Sequence, residues 1–147
     1  MATVPATPRA ETGLLLLADI SGYSALLGMV ATAHPEMVRP GGPVPPAYAV
    51  MSSLLGIVLE RTAPTFALAE IEGDAVFAYA LDAPRLVTGG EQLLRIVRSA
   101  YAGFRERIDE AMVVHKHDCQ ACILLPSLEL KFVLPHDLSM RRRIRAR

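Results

Sequence analysis

Residues Thr65–Leu81 read TFALAEIE, then GD, then AVFAYAL, and they decide the fold. Two extended, apolar-rich runs flank Gly73-Asp74, and such a pair favours the backbone of a tight hairpin turn. Pro64 ends a helical pattern before the first run. After the second run, Thr88-Gly-Gly-Glu91 has the form of a capping box, with Thr88 as N-cap and Glu91 reaching back, and it opens another helix.

Working outward, Leu14 to Ile20 is a short apolar run between Gly13 and Gly22. It predicts a strand buried on both faces. Tyr23, Leu26, Leu27, Val30 and His34 follow at helical spacing. Pro35, Pro40, Gly41, Gly42, Pro43, Pro45 and Pro46 then enforce a loop. A second helix carries Tyr48, Met51, Leu54, Leu55, Val58 and Leu59 on one face. The long helix after Thr88 has a stripe of Leu93, Val97, Ala100, Tyr101, Phe104, Ile108, Ala111 and Met112, with Gly103 placed for close packing. His115 to Cys122 reads as polar and irregular. Leu128, Leu130, Phe132 and Leu134 alternate with Glu129, Lys131 and Val133, the period of a half-exposed strand.

The order is β-αα-β-β-α-β, an α+β, ferredoxin-like sandwich with an antiparallel sheet and its helices on one face. Right-handed crossovers place the first strand beside the third, the fourth outside the first, and the second at the other edge. Residues 1–12 read as a flexible lead-in, 13–134 as the domain and 135–147 as a basic tail.

The 147 residues suit one domain with an ordinary core. Hydrophobic residues make up 52% and charged residues 20%, which excludes a disordered chain. Two Cys exclude a disulfide-framework mini-protein and are expected to be reduced in the cytosol, the default compartment here. No run approaches the ~18 apolar residues of a membrane span, and the N-terminus lacks the pattern of a secretory signal. Net charge is zero, so a nucleic-acid partner is not expected. That zero is a sum of unlike parts: without the five Arg of the last seven residues, ten basic residues face fifteen acidic ones. The acidic body favours cations.

The topology brings chemistry together. Asp19 ends the first strand, and Asp74 sits in a turn at the same end of the sheet. Glu72 stands nearby as a third carboxylate. Carboxylates at one rim repel, and a cation or a shared proton relieves that repulsion. Hard oxygen ligands at an open rim suit Mg²⁺ or Mn²⁺ completed by water and phosphate. The alternative is local: Asp19 caps the first helix and Asp74 makes the turn.

Leu17-Ala-Asp19-Ile-Ser-Gly-Tyr-Ser24 resembles the first metal motif of class III adenylyl and guanylyl cyclases. Glu72-Gly-Asp-Ala-Val76 resembles the second, and Leu130-Lys-Phe-Val133 resembles the strand that follows. The closer resemblance is to an uncharacterised bacterial domain family of that superfamily, over about residues 12–134. The resemblance implies a nucleotide cyclase-like fold. It also implies that Asp19, Asp74 and the carbonyl of Ile20 hold two metals, while the backbone of Ser21, Gly22, Tyr23 and Ser24, with Gly73, faces the phosphates of a nucleoside triphosphate. Two departures stand out. Glu70 occupies the place of a Lys that reads the purine. Pro135-His136-Asp137 follows the last strand, where cyclases continue to an Asn and an Arg that stabilises transferring phosphate. An autonomous purine cyclase is therefore not expected. A homodimer or a hetero-partner would supply the missing groups, since cyclase sites form between two domains.

His115, His117, Cys119 and Cys122 form a second constellation. Cys-x-x-Cys is half of a Zn²⁺ site, and His117, Cys119 and Cys122 are its candidate ligands. A surface loop with solvated His and thiols is the alternative. The Arg-rich end could meet phosphates or an anionic membrane, or remain solvated. Two functions stay open: a cyclase-like domain binding a divalent metal and a nucleotide, or a non-catalytic protein-interaction module of the same fold.

Overall fold

The computed structural model describes residues 9–36, 39–81, 90–114 and 120–141. In chain order it contains β1 (Arg9–Ser21), α1 (Tyr23–Ala33), α2 (Pro46–Thr62), β2 (Ala67–Glu72), β3 (Ala75–Leu81) and α3 (Gly90–Val114). A 3-10 helix (Gln120–Ser127), β4 (Glu129–Val133) and β5 (His136–Arg141) complete it. The class is α+β: an open antiparallel sheet flanked by helices. The strands run in the order β2-β3-β1-β4, with β5 pairing farther along β1. This is the order that the crossover argument gives.

The helices are placed by specific residues. Gly22 turns the chain from β1 into α1 with φ of 94°, a left-handed conformation that favours glycine, and a Cβ there would approach Leu128 Cδ2 at 3.3 Å. Pro46 opens α2 at a position where its missing N–H costs nothing. Gly103 lets α2 and α3 close on each other. A Cβ at that position would stand 2.9 Å from Ile57 Cγ1 and 3.4 Å from Arg61 Nε. The packing reason expected for Gly103 is therefore present.

The core lies between the helical layer and one face of the sheet. Ala18 and Ile20 of β1, Val76 of β3 and Leu130 of β4 cluster with Leu26, Val30, Leu54, Val58, Phe104 and Ile108. A smaller cluster gathers Leu14, Leu16, Phe66, Ala78 and Ala80, with Leu93 and Ile96 against it. Burial alternates along β1, so the expectation of a strand buried on both faces is corrected. Leu15 is 41% exposed, while Leu17 and Asp19 are half-buried. Four consecutive leucines look like a two-sided strand, but helices cover only the side to which Leu14 and Leu16 point.

Other expectations shift by smaller amounts. The buried face of α2 includes Val50 and Ile57 and leaves Tyr48 largely exposed. Tyr101 of α3 is exposed too, though its ring lies 6.5 Å from that of Phe104. The polar stretch before β4 gives way to the 3-10 helix from Gln120, whose Leu125 is fully buried. Strand pairing also runs beyond residues 13–134. β1 begins at Arg9, and β5 occupies the first part of the basic tail. β4 and β5 hold a single register on β1: Leu17 faces Val133, Leu14 faces His136, and between them the Leu15 N–H donates to the Pro135 carbonyl at 3.2 Å. Residues 1–8, the cap at Thr88 and Arg142 to Arg147 lie outside the described residues.

Candidate functional site

β1 and the β2–β3 hairpin build one rim. Asp19 pairs with Ala75, the first residue of β3, so the Gly73-Asp74 turn lies just past the end of that pairing. The Ile20 N–H donates to the Asp74 carbonyl at 3.1 Å. That bond ties the turn to the carboxyl end of β1 and brings Asp19 and Asp74 to the same end of the sheet. Gly73, with φ of 60°, gives the turn its left-handed residue, and Asp74 follows half-buried.

Asp19 does not cap α1. The N-cap is Gly22, and no side chain hydrogen-bonds to the helix start. The first helical bond runs from the Leu26 N–H to the Gly22 carbonyl at 3.0 Å. The N–H groups of Tyr23, Ser24 and Ala25 thus precede the helical ladder and point out of the helix start, where partial positive charge collects. Ser21, Gly22, Tyr23 and Ser24 therefore stand at the rim with the two Asp. The Ile20 side chain is fully buried, so only its main chain can meet a ligand.

The pairing registers place further charges. Glu72, Ala75, Asp19 and Lys131 form one row across β2, β3, β1 and β4. Glu70, Phe77, Leu17 and Val133 form the next. Residues directly opposite one another share a face, and this is the face the helices leave uncovered. Glu72 lies two strands from Asp19, about 10 Å at ordinary strand spacing. Among the described residues no three His, Cys, Asp or Glu side chains come together as a metal cluster, so Glu72 does not join the two Asp. Two carboxylates are too few for a closed protein cage around a divalent cation.

On the helix side of the rim stand two phenols. The Tyr23 hydroxyl is pushed above its usual pKa of 10.0, first by burial, then by Tyr48 and by Asp74. Tyr23 therefore lies within electrostatic reach of the hairpin carboxylate and of the start of α2. The sequence pattern gave Tyr23 and Tyr48 only core or backbone roles, and Lys131 only a place in an alternating strand. Crossing elements bring them to the rim, and no local spacing reports that.

The second constellation divides. Cys122 is 4% exposed and belongs to the main core cluster. His115, His117 and Cys119 lie outside the described residues. Elsewhere, a shallow cavity of about 250 Å³ opens between α2 and α3 beside Ser53, Arg107 and Glu110. An ion pair of 3.5 Å joins Arg107 and Glu110. None of the described helices is long and apolar enough to cross a membrane.

No curated protein matches the chain. Residues 51–146 match the model of a family described as a protein of unknown function, DUF2652. The match runs from within α2 through β5 and includes Asp74, Lys131 and the hairpin, while Asp19 precedes it. It covers about two thirds of the sequence, and the chain belongs to this family.

Proposed function

We propose that the rim formed by Asp19 and Asp74 binds Mg²⁺ or Mn²⁺ together with the phosphates of a nucleotide, in a ferredoxin-like domain of the nucleotide cyclase type. The observation that supports this reading is the 3.1 Å bond between the Ile20 N–H and the Asp74 carbonyl, which brings the main chain at Asp74 to the same end of the sheet as Asp19. The strand order and the motif resemblance at both Asp support it. A bound divalent cation would neutralise phosphate charge and polarise a phosphoryl oxygen. The chain's own part is to hold the cation with Asp19, Asp74 and the Ile20 carbonyl. The N–H groups at the start of α1 receive anionic oxygens.

Autonomous purine cyclisation is not part of the proposal. Glu70 offers a carboxylate where purine cyclases offer an ammonium. The segment after Leu134 continues as strand β5, a poor setting for the helical Asn and Arg of those enzymes. A second domain, from another copy or from a different chain, would complete a site of that kind.

A protein-interaction module is the second reading. Leu15, Phe77 and Val133, at 41%, 37% and 53% exposure, give the uncovered sheet face an apolar stretch beside its charges, and grouped apolar surface marks contact sites more often than scattered residues do. One experiment separates the readings. Titration of the protein with Mn²⁺ and nucleoside triphosphate by calorimetry should give saturable binding that Asp74→Ala abolishes. Equal or absent binding in both proteins would sink the metal reading and leave the interaction module.

A further inference from the structure

β2 is an edge strand: it pairs with β3 on one side, and among the described residues nothing pairs with the other. All of its residues are exposed, Leu68 and Ile71 at 48% and 44%. Such an edge offers unpaired N–H and C=O groups to another strand, and proteins commonly blunt it with Lys, Pro or a bulge. Ala67–Glu72 contains neither Lys nor Pro. The register shift between Leu68 and Glu70 leaves Glu70, Ile71 and Glu72 paired in order with Phe77, Val76 and Ala75. Glu70 and Glu72 therefore stand on the uncovered face, and Ile71 shares the opposite face with Val76. No ion pair among the described residues engages either glutamate. Two β2 edges laid together would crowd glutamates on one face. The edge thus selects against itself and for a strand that alternates basic with apolar residues.

This chain contains such a sequence. Arg141, Arg143, Arg145 and Arg147 alternate with Arg142, Ile144 and Ala146, and Arg141 is the last residue of β5. In either strand direction, a register that sets Arg143 and Arg145 across from Glu70 and Glu72 also sets Ile144 beside Ile71. The segment cannot reach β2 of its own chain. Arg141 pairs with Arg9, while Glu70 lies level with Leu17. That offset is about 26 Å along β1, and the open side of β2 stands about 19 Å across the sheet from β5. Six extended residues span about 22 Å at most. We infer that residues 143–147 of one copy add as a strand to the β2 edge of a second copy, with their guanidinium groups on Glu70 and Glu72. The contact uses the edge of the sheet and stands independently of the metal reading of the rim.

Sedimentation velocity on the full chain should show concentration-dependent self-association that weakens at high salt. Glu70→Lys/Glu72→Lys and, separately, Arg143→Glu/Arg145→Glu should each weaken it at least ten-fold. An equimolar mixture of these two variants should recover association, because each segment then meets an edge of opposite charge. Ile144→Arg/Arg145→Ile keeps composition and charge but breaks the alternation, and should weaken association several-fold. The β2 side chains are exposed, so melting temperatures should not move, and recovery in the mixture shows that both variants are folded. A monomeric wild type overturns the inference, as does a mixture that stays dissociated. Association that survives both charge reversals overturns it too, since the contact would then lie elsewhere than this edge. Equal weakening by Glu106→Lys/Asp109→Lys, exposed on α3, or indifference to Ile144→Arg/Arg145→Ile also overturns it, because the arginines would then sense only the acidic body.

Discussion

Leu16 and Leu15 are neighbours of identical chemistry with opposite surroundings: Leu16 is 1% exposed beneath the helices and Leu15 is 41% exposed on the other side. The contrast runs the length of β1. One face supplies Leu14, Leu16, Ala18 and Ile20 to the two core clusters. The other carries Leu15, Leu17 and Asp19 and continues onto Phe77, Lys131 and Val133 of the flanking strands. The covered face holds the fold together. The uncovered face carries the charges and the apolar surface from which a function can be built. Substitutions on the two faces should accordingly separate stability from binding.

The largest difference is expected from truncating the two leucines. Leu16→Ala removes a fully packed side chain and should cost about 2–5 kcal/mol by urea denaturation. Leu15→Ala removes one that already meets water and should cost about 1 kcal/mol or less. Equal losses would mean that something covers the second face in solution, which would favour the interaction reading. The next effect lies in the helical layer. Gly103→Val places its Cβ 2.9 Å from Ile57 Cγ1, so the Ile57 side chain or the helices themselves must shift. The expected cost is about 1–3 kcal/mol, visible as a lower denaturation midpoint. Mn²⁺ binding should survive in the remaining folded protein, because the rim lies beyond that contact.

Legibility followed the same division. The turn and second strand of the hairpin were readable to the residue, since β3 spans Ala75–Leu81 as its pattern predicts and Gly73-Asp74 occupies the turn, while β2 begins at Ala67, two residues after the expected Thr65. Alternation and crossover handedness then sufficed for the sheet order. The two-faced burial of β1 was not readable, because Leu14 to Leu17 is chemically uniform and only the helices distinguish its sides. The 3-10 helix was missed for a related reason. Cys122, Leu125 and Leu128 recur every third residue, the period of that helix, but three apolar positions are too short a pattern to stand out from an irregular loop. Strand β5 (His136–Arg141) falls in the segment read as a basic tail, because five Arg in the last seven residues masked its extended pairing. Pro135 between β4 and β5 has no N–H to donate, but its carbonyl still accepts from the Leu15 N–H at 3.2 Å. At the rim, Asp19 and Asp74 were legible through topology. Lys131 and Tyr48 were not, because register and helix packing decide their neighbours.

The smallest expected effect joins the two layers, since Tyr23 is anchored in the helical core and senses Asp74 at the rim. Its hydroxyl is held above the ordinary value of 10.0, with burial the first cause and the Tyr48 and Asp74 charges following. Below about pH 10 the phenol is protonated in both folded and unfolded chains, so it adds no pH dependence there. As pH rises past the unfolded value, the unfolded chain loses its proton first. The stability that Tyr23 contributes therefore declines from about pH 10 upward, through the folded pKa. Tyr23→Phe should flatten that decline. Asp74→Asn removes only a lesser cause and should lower the Tyr23 transition slightly, read as the tyrosinate absorbance lost on comparing each protein with its Tyr23→Phe partner. Saturating Mn²⁺ should move the transition in the same direction in the wild type, and not in Asp74→Asn, because a cation on that carboxylate cancels the charge the phenol feels. A metal-induced shift of equal size in both proteins would place the cation elsewhere and break the link between the covered core and the uncovered rim.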